Sequence, residues 1–456
     1  MKTTFTIFKL SLRTILRERV AVSMLGLLVL VLVLLPSGLQ GDGTVQGAIQ
    51  MQVRYSLGFS FALLAGMTLW VSCASVSGDL TSKRLQMVLT KPVSRMSVWF
   101  GKWLSVVTVV SLLGLLCGGV TLFRIHQIIS AAEMEPSERS LLQTQVLTAR
   151  KPLDVPPMDL SEEAKQLFIK QQAAGALPPQ ANMEDLLPKI ERYLQVERFA
   201  VDKESASSWT LPLPTPPQPG EEFQLFYHYD GLAMGSTQVN GEWVISDPDG
   251  EPFFRFPVHQ SPQGGHALPF TVPKEMAGAT SLELTFRNLA PEGSKIFFQT
   301  DQGIRLFHQG GSFSLNLFRS VFLFCGLLSI LAAIGVSAGS MFSLPVACYS
   351  TMVVLVLQAF SGIVSEVVEQ GFPSRSEEVS SVVHLFTQAR FILFQGILIL
   401  IQPMQMESPL GRVAEGVLIP SSEVFAVLSL RFLPIIGVAA LIGIFFFSKR
   451  EVGDAS

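Results

Sequence analysis

GDLTSKRLQMVLTKPVSRMSVWFGK, residues 78–102, lies between two long apolar runs and carries Lys83, Arg84, Lys91, Arg95 and Lys102 against one acidic residue, Asp79. Lys and Arg resist translocation, so a basic loop between membrane spans is held on the cytoplasmic side. The stretch is also patterned. Asp79 has the chemistry of a helix cap, Leu85, Val88 and Leu89 form an apolar stripe, and Pro92 ends the pattern. Ser94 then caps a second helix that runs on into the next span. The spacing predicts a capped, rigid, basic elbow at the cytoplasmic surface.

Outward from this elbow the chain reads as a membrane protein. Its mean hydropathy is +0.42, and charged residues make up 15% of its 456 residues, well below the usual quarter. Residues 4–19 alternate an apolar face (Phe5, Phe8, Leu12, Ile15, Leu16) with Lys9, Arg13 and Arg17, the pattern of an interfacial helix among lipid headgroups. Apolar runs near 20–38, 57–77, 99–123, 317–338, 344–366 and 430–447 predict six spans. The first is read as a retained anchor, because no A-x-A type cleavage site accompanies it. Gly114 with Gly118, and Gly335 with Gly339, have the small-xxx-small spacing that lets helices approach closely. The apolar run 391–401, within 384–405, is too short to span and reads as re-entrant or interfacial. Six spans place both termini inside, with the N-terminal helix, the elbow and Lys449–Arg450 on one side. Cys73, Cys117, Cys325 and Cys348 all sit in apolar runs and read as buried small hydrophobes, outside any disulfide framework.

Between Arg124 and Asn316 the chain turns polar and acidic, with 24 Asp/Glu against 15 Lys/Arg. Three spans from a cytoplasmic start put this region outside. Helical patterns near 160–173 and 183–200 and a stiff Pro-rich linker, LPLPTPPQPG (211–220), make up a first part, 124–220. In 221–316 the period changes: FQLFYHY, EWVIS, FFRFPVH, LPFTVP, SLELTF, KIFFQT and IRLFH predict an antiparallel β-sandwich of seven or eight strands. The expected fold class is thus an α-helical polytopic membrane protein with an inserted extracytoplasmic domain, part helical and part β-sandwich.

The chain has no GxxxxGK[ST] P-loop, and HExxH, GxGxxG and CxxC are also missing; GVSAG at 335–339 matches GxSxG but lies inside an apolar run read as a span, not on a strand-to-helix turn. His259 and His266 flank a Gly-rich turn and read as surface residues. Asp247, Asp249 and Glu251 in DPDGE suit a β-turn better than a calcium site. The aromatics Phe226, Tyr227, Tyr229, Trp243, Phe253 and Phe254 suit a sandwich core better than a sugar-stacking face. The spans hold almost no charge in their apolar cores, which argues against proton coupling and intramembrane hydrolysis. Energy for any movement must then come from a partner.

The segment DLTSKRLQMVLTKPVSRMSVWFGKWL, 79–104, resembles the cytoplasmic loop of ABC-2 type transporter permeases, at Asp79, Leu85, Leu89, Pro92, Val93, Ser94, Arg95, Gly101 and Lys102. The N-terminal helix, the six spans, the broken segment between the last two, and a terminus reading FFFSKREV are similar to that family as well. The likeness covers 1–123 and 317–456; residues 124–316 depart from it, where such permeases have a short loop. The resemblance implies that the elbow is a coupling helix seated in a cytoplasmic ABC ATPase subunit. Asp79, Lys83, Arg84, Leu85, Val88, Leu89, Pro92, Arg95 and Lys102 would form that interface, with Lys83, Arg84 and Arg95 on its rim or against anionic lipid. It also implies that the chain is not itself an enzyme, that it has no cofactor of its own, and that ATP and Mg belong to the partner ATPase. A second permease subunit, as homo- or heterodimer, would complete a pathway lined by spans two and five. Membrane lipid and an extracytoplasmic protein or glycan are the remaining expected partners, with no role for nucleic acid. The expected location is the cytoplasmic (inner) membrane.

Overall fold

The computed structural model describes residues 2–38, 45–82, 93–132, 142, 147–175, 183–232, 238–248, 250–261, 265–289, 295–300, 303–360 and 408–449. The chain divides into two compact units, Met1–Ala149 with Ser312–Ser456, and Arg150–Gly311. The first is helical and apolar; the second is rich in β-strand.

In the first unit, α1 (Lys2–Ile15) precedes α2 (Arg19–Gly38). Next, α3 (Val45–Met51) passes through a π-helical turn, Gln52–Leu57, into α4 (Gly58–Thr81) without leaving helical backbone. The long helix α5 (Arg95–Ala131) follows. Two helices of the second unit come next in sequence, α6 (Ser161–Ala173) and α7 (Met183–Arg198), close to the ranges expected from periodicity. The first unit resumes with α8 (Phe313–Met341) and α9 (Leu344–Ala359), separated by a tight turn. Short helices α10 (Pro409–Ala414) and α11 (Ser421–Ala426) lead through a second π-helical turn, Val427–Phe432, into α12 (Leu433–Lys449).

Among the described residues four helices are long and apolar enough to cross a membrane: Gly47–Thr81, Arg95–Ala131, Phe313–Met341 and Ser421–Lys449. Arg19–Leu34 and Leu344–Ala359 are shorter apolar helices. The helix α8 is the central one: its most apolar window is 72% buried, against 28% for the last helix. Its buried residues, among them Leu317, Val321, Ile330, Ala333 and Val336, share one core with Val53, Leu64 and Val71 of the α3–α4 rod and with Val106, Val110 and Cys117 of α5. Asn316 ties this core to the 415–420 segment: its Nδ2 donates to Val417 O and its Oδ1 accepts from Ile419 N, both at 2.7 Å. Cys73, Cys117 and Cys325 are buried, Cys348 is half-buried, and all four are free thiols.

The second unit holds β1 (Thr148–Asp154), β2 (Ala200–Val201), β3 (Ala206–Pro212), β4 (Glu222–Leu232), β5 (Val239–Ser246), β6 (Pro252–Gln260), β7 (Gly265–Thr271), β8 (Ser281–Asn288), β9 (Ile296–Phe298) and β10 (Ile304–Ser312). One sheet has the order β1-β10-β4-β9-β2, with β7 paired to β4; the other has the order β3-β8-β5-β6. The β10–β4, β2–β9, β3–β8, β4–β7, β4–β9, β5–β6 and β5–β8 pairings are antiparallel. Strand alternation turns Trp209, Leu211, Trp243, Ile245, Leu284 and Phe286 of one sheet and Leu225, Tyr227, Phe298 and Leu306 of the other into a single apolar cluster. All seven runs singled out in 221–316 fall on β4–β10. Three strands lie ahead of residue 220, however, and β3 begins before the Pro-rich stretch and takes in its first two residues. Its Trp209 and Leu211 pair with Leu284 and Leu282 of β8, so the chain on both sides of 220 shares one core.

Candidate coupling site

The elbow lies between two fixed ends. Helix α4 runs on to Thr81, and Ser94 caps α5 with its hydroxyl accepting from Ser97 N at 3.2 Å. Six of the expected interface residues, Lys83, Arg84, Leu85, Val88, Leu89 and Pro92, fall in 83–92, outside the described residues, as does 384–405. Asp79 does not open a new helix. It lies in the last turn of α4, because the helical run continues past it, and its Oδ2 accepts from Lys102 Nζ at 2.5 Å. Lys102 also donates to Ser75 O, and its side chain is 5% exposed. The pair therefore joins the end of α4 to the second turn of α5.

Arg95 opens α5. Its Nη1 donates to Phe447 O near the end of α12, and its guanidinium lies 5.7 Å from the Phe447 ring centre. Phe447 and Val98 form a small buried cluster joined by Ile7, Leu80 and Val93. One turn further, Trp99 Nε1 donates to Ser337 Oγ of α8 at 3.1 Å, and Ser337 Oγ donates to Ala439 O of α12 at 2.7 Å. Glu18, just after α1, accepts from Trp70 Nε1 of α4 at 3.2 Å. The first two turns of α5 are thus bonded to or packed on α1, α4, α8 and α12.

The expected packing glycines lie at close helix crossings. A Cβ on Gly114 would meet Cys325 Sγ at 3.0 Å, and one on Gly118 would meet Val321 Cγ2 at 3.0 Å, both across the α5–α8 contact. On α8, a Cβ at Gly339 would meet Cys73 O at 2.6 Å and one at Gly335 would fall on the Ser72 hydroxyl. Gly443 of α12 was not anticipated: its missing side chain leaves room for Trp99 Nε1, which a Cβ would meet at 2.8 Å. Its partner at four residues' spacing is Ala439 rather than a glycine, so a GxxxG pattern does not single it out. The Arg95–Phe447 contact is equally hidden in sequence, since its acceptor is a backbone carbonyl 352 residues away.

In the β-rich unit Tyr227, Tyr229 and Trp243 are buried in the core, while Phe226, Phe253 and Phe254 are half-buried. Burial raises the Tyr227 phenol to about 12 and pushes Tyr229 higher still. At DPDGE, Asp247 O accepts from Gly250 N at 3.0 Å and Asp247 Oδ1 accepts from Glu251 N at 2.9 Å, with Gly250 at φ +88°, which is a turn. Asp249 lies outside the described residues. His259 Nδ1 bonds Asn240 Oδ1 on the exposed surface, whereas His266 is half-buried, with its ring stacked on Tyr227 and its Nε2 bonded to Ser261 O. No group of three or more His, Cys, Asp or Glu among the described residues converges as for a metal ion. A cleft of about 500 Å³ opens between the 155–160 loop and α7, with Asp159, Glu191, Arg198 and Arg305 on its walls.

No family model matches this sequence, and no curated protein matches it. Among solved structures, the enzymatically active domain of bacteriophage CBA120 tailspike protein 4 is similar over 24% of this chain and 19% of that one, at 15% identity and a TM-score of 0.16.

Proposed function

We propose that this chain is the membrane-spanning permease subunit of an ABC-2 type ABC transporter, coupling ATP hydrolysis by a separate cytoplasmic ATPase to movement across, or outside, the membrane. The observation that carries this reading is the sequence of 78–102 between two anchored helix ends. A short basic segment joining the last turn of one membrane helix to the capped start of another passes a push into the bilayer as rigid-body motion. The full reading counts the two shorter apolar helices as spans, giving six, with both termini in the cytoplasm and unit Arg150–Gly311 outside, its two sheets forming a sandwich. A second permease subunit, homo- or heterodimeric, completes the assembly.

A second reading is favoured by the size of the inserted unit, which has its own core. In it, ATPase cycling moves the outer unit and no substrate crosses. A membrane-anchored binding module with no ATPase is the remaining alternative. The deciding experiment is affinity purification of the full chain from detergent-solubilised native membrane. A co-purifying protein with a Walker motif, lost with Leu85→Asp, supports the proposal; an extract that yields none overturns it. Vesicle transport by a variant lacking 150–311 then separates the first two readings, because surviving transport removes the second.

A further inference from the structure

Two charged residues flanking the elbow stand at the wrong ends of their own helices. Asp79 is in the last turn of α4, where the helix dipole disfavours an anion, and Arg95 is the first residue of α5, where it disfavours a cation. Each is satisfied by a different helix. Lys102 of α5 neutralises Asp79, and Arg95 reaches Phe447 O near the end of α12. A Lys or Arg kept only for topology would extend to the headgroups and water. These two turn inward instead. A buried ion pair is a poor device for stability alone, since apolar residues of the same size serve as well, and its best-attested use is to specify register.

We propose that Arg95 and Lys102 are positioning residues that lock the ends of α4 and α12 onto the first two turns of α5, so that α12 follows the elbow when it is pushed. The role rests on the coupling reading above, but the latch itself is independent of it. The interlock extends beyond the charges: Ile7 of α1 packs where a Cβ on Gly101 would stand, 2.8 Å from Ile7 Cγ2, and Trp99 fills the notch at Gly443. Substitution of Arg95 therefore frees α12 at one bond while the packing on both sides persists.

The test uses the full chain in nanodiscs, with its four native cysteines changed to alanine and Val98→Cys and Phe447→Cys introduced. These side chains share one buried cluster, and the Phe447 carbonyl is retained. Copper(II) phenanthroline is the oxidant: each disulfide formed gives one electron to each of two Cu(II) ions and releases the two thiol protons to solvent. Arg95→Gln should lower the initial cross-linking rate about tenfold, the worth of one charge-assisted hydrogen bond, and Arg95→Lys should recover most of it. Melting temperature and elution volume should stay at the parent values in both. An unchanged rate in Arg95→Gln, or a loss that Arg95→Lys does not repair, overturns the latch. In the second arm ATP is added to the complex with the co-purified ATPase: the parent cross-linking rate should shift and the Arg95→Gln rate should not. An equal shift in both overturns the transmission role, and absence of any ATPase overturns the coupling reading while the first arm still decides the latch.

Discussion

Lys102 Nζ and Asp79 Oδ2 lie 2.5 Å apart, joining the two helices that flank the basic elbow from within rather than at its surface. Removing one partner strands the other charge. Asp79→Leu is therefore expected to destabilise the helical unit by about 3 kcal/mol, whereas Asp79→Leu with Lys102→Met should come close to the parent. A double-mutant cycle of thermal unfolding in detergent measures both; an additive cycle contradicts the pairing.

Glycines on the long apolar helices should divide by what faces them. Gly339→Ala places a methyl 2.6 Å from Cys73 O and should cost about 1–3 kcal/mol. Gly119→Ala meets nothing within 4 Å and should be neutral or stabilising, by up to about 1 kcal/mol through helix propensity. Opposite shifts in melting temperature are the expected outcome.

Leu284 is fully buried between Trp209 and Ile245, its cross-strand partners on β3 and β5. Leu284→Ala should cost about 3 kcal/mol through lost burial and a residual cavity. Hydrogen exchange on the full chain should then quicken about 100-fold in β3, β5 and β8, with α8 unaffected.

Burial lowers the His308 pKa below its ordinary 6.5, with Lys151 acting in the same direction and Glu221 opposing both. Below pH 6.5 the unfolded chain binds the proton more readily than the folded one, so stability falls as pH drops through that window toward the folded-state value. His308→Gln should remove this component. Urea midpoints of the β-rich unit between pH 7.5 and 5 should fall more steeply for the parent than for the variant.

Local signals carry the seven strands from β4 to β10, the helices α6 and α7, the Ser94 cap and, within the described residues, the helical ranges of the apolar runs. Each rests on a period, a cap or a breaker within a few residues. What they left out is equally specific. The end of β3 carries the composition of a linker, because LPLPTPPQPG begins before the strand ends, and its strand character comes from pairing with β8, about 75 residues away. The residue type of Asp79 suits a cap; helix continuity through Thr81 excludes that role, and the contact with Lys102 supplies another.

The elbow therefore has two layers. Its amino acids alone dictate that it is basic, flanked by apolar helices and closed by a serine cap, since these follow from side-chain type and spacing. Which of its charges face inward was settled by tertiary structure. That choice depends on a carbonyl of α12, a carboxylate of α4 and the room left at Gly101 and Gly443. Burying a charge is tolerated only where a partner from another part of the chain waits for it, and no local pattern records such a partner.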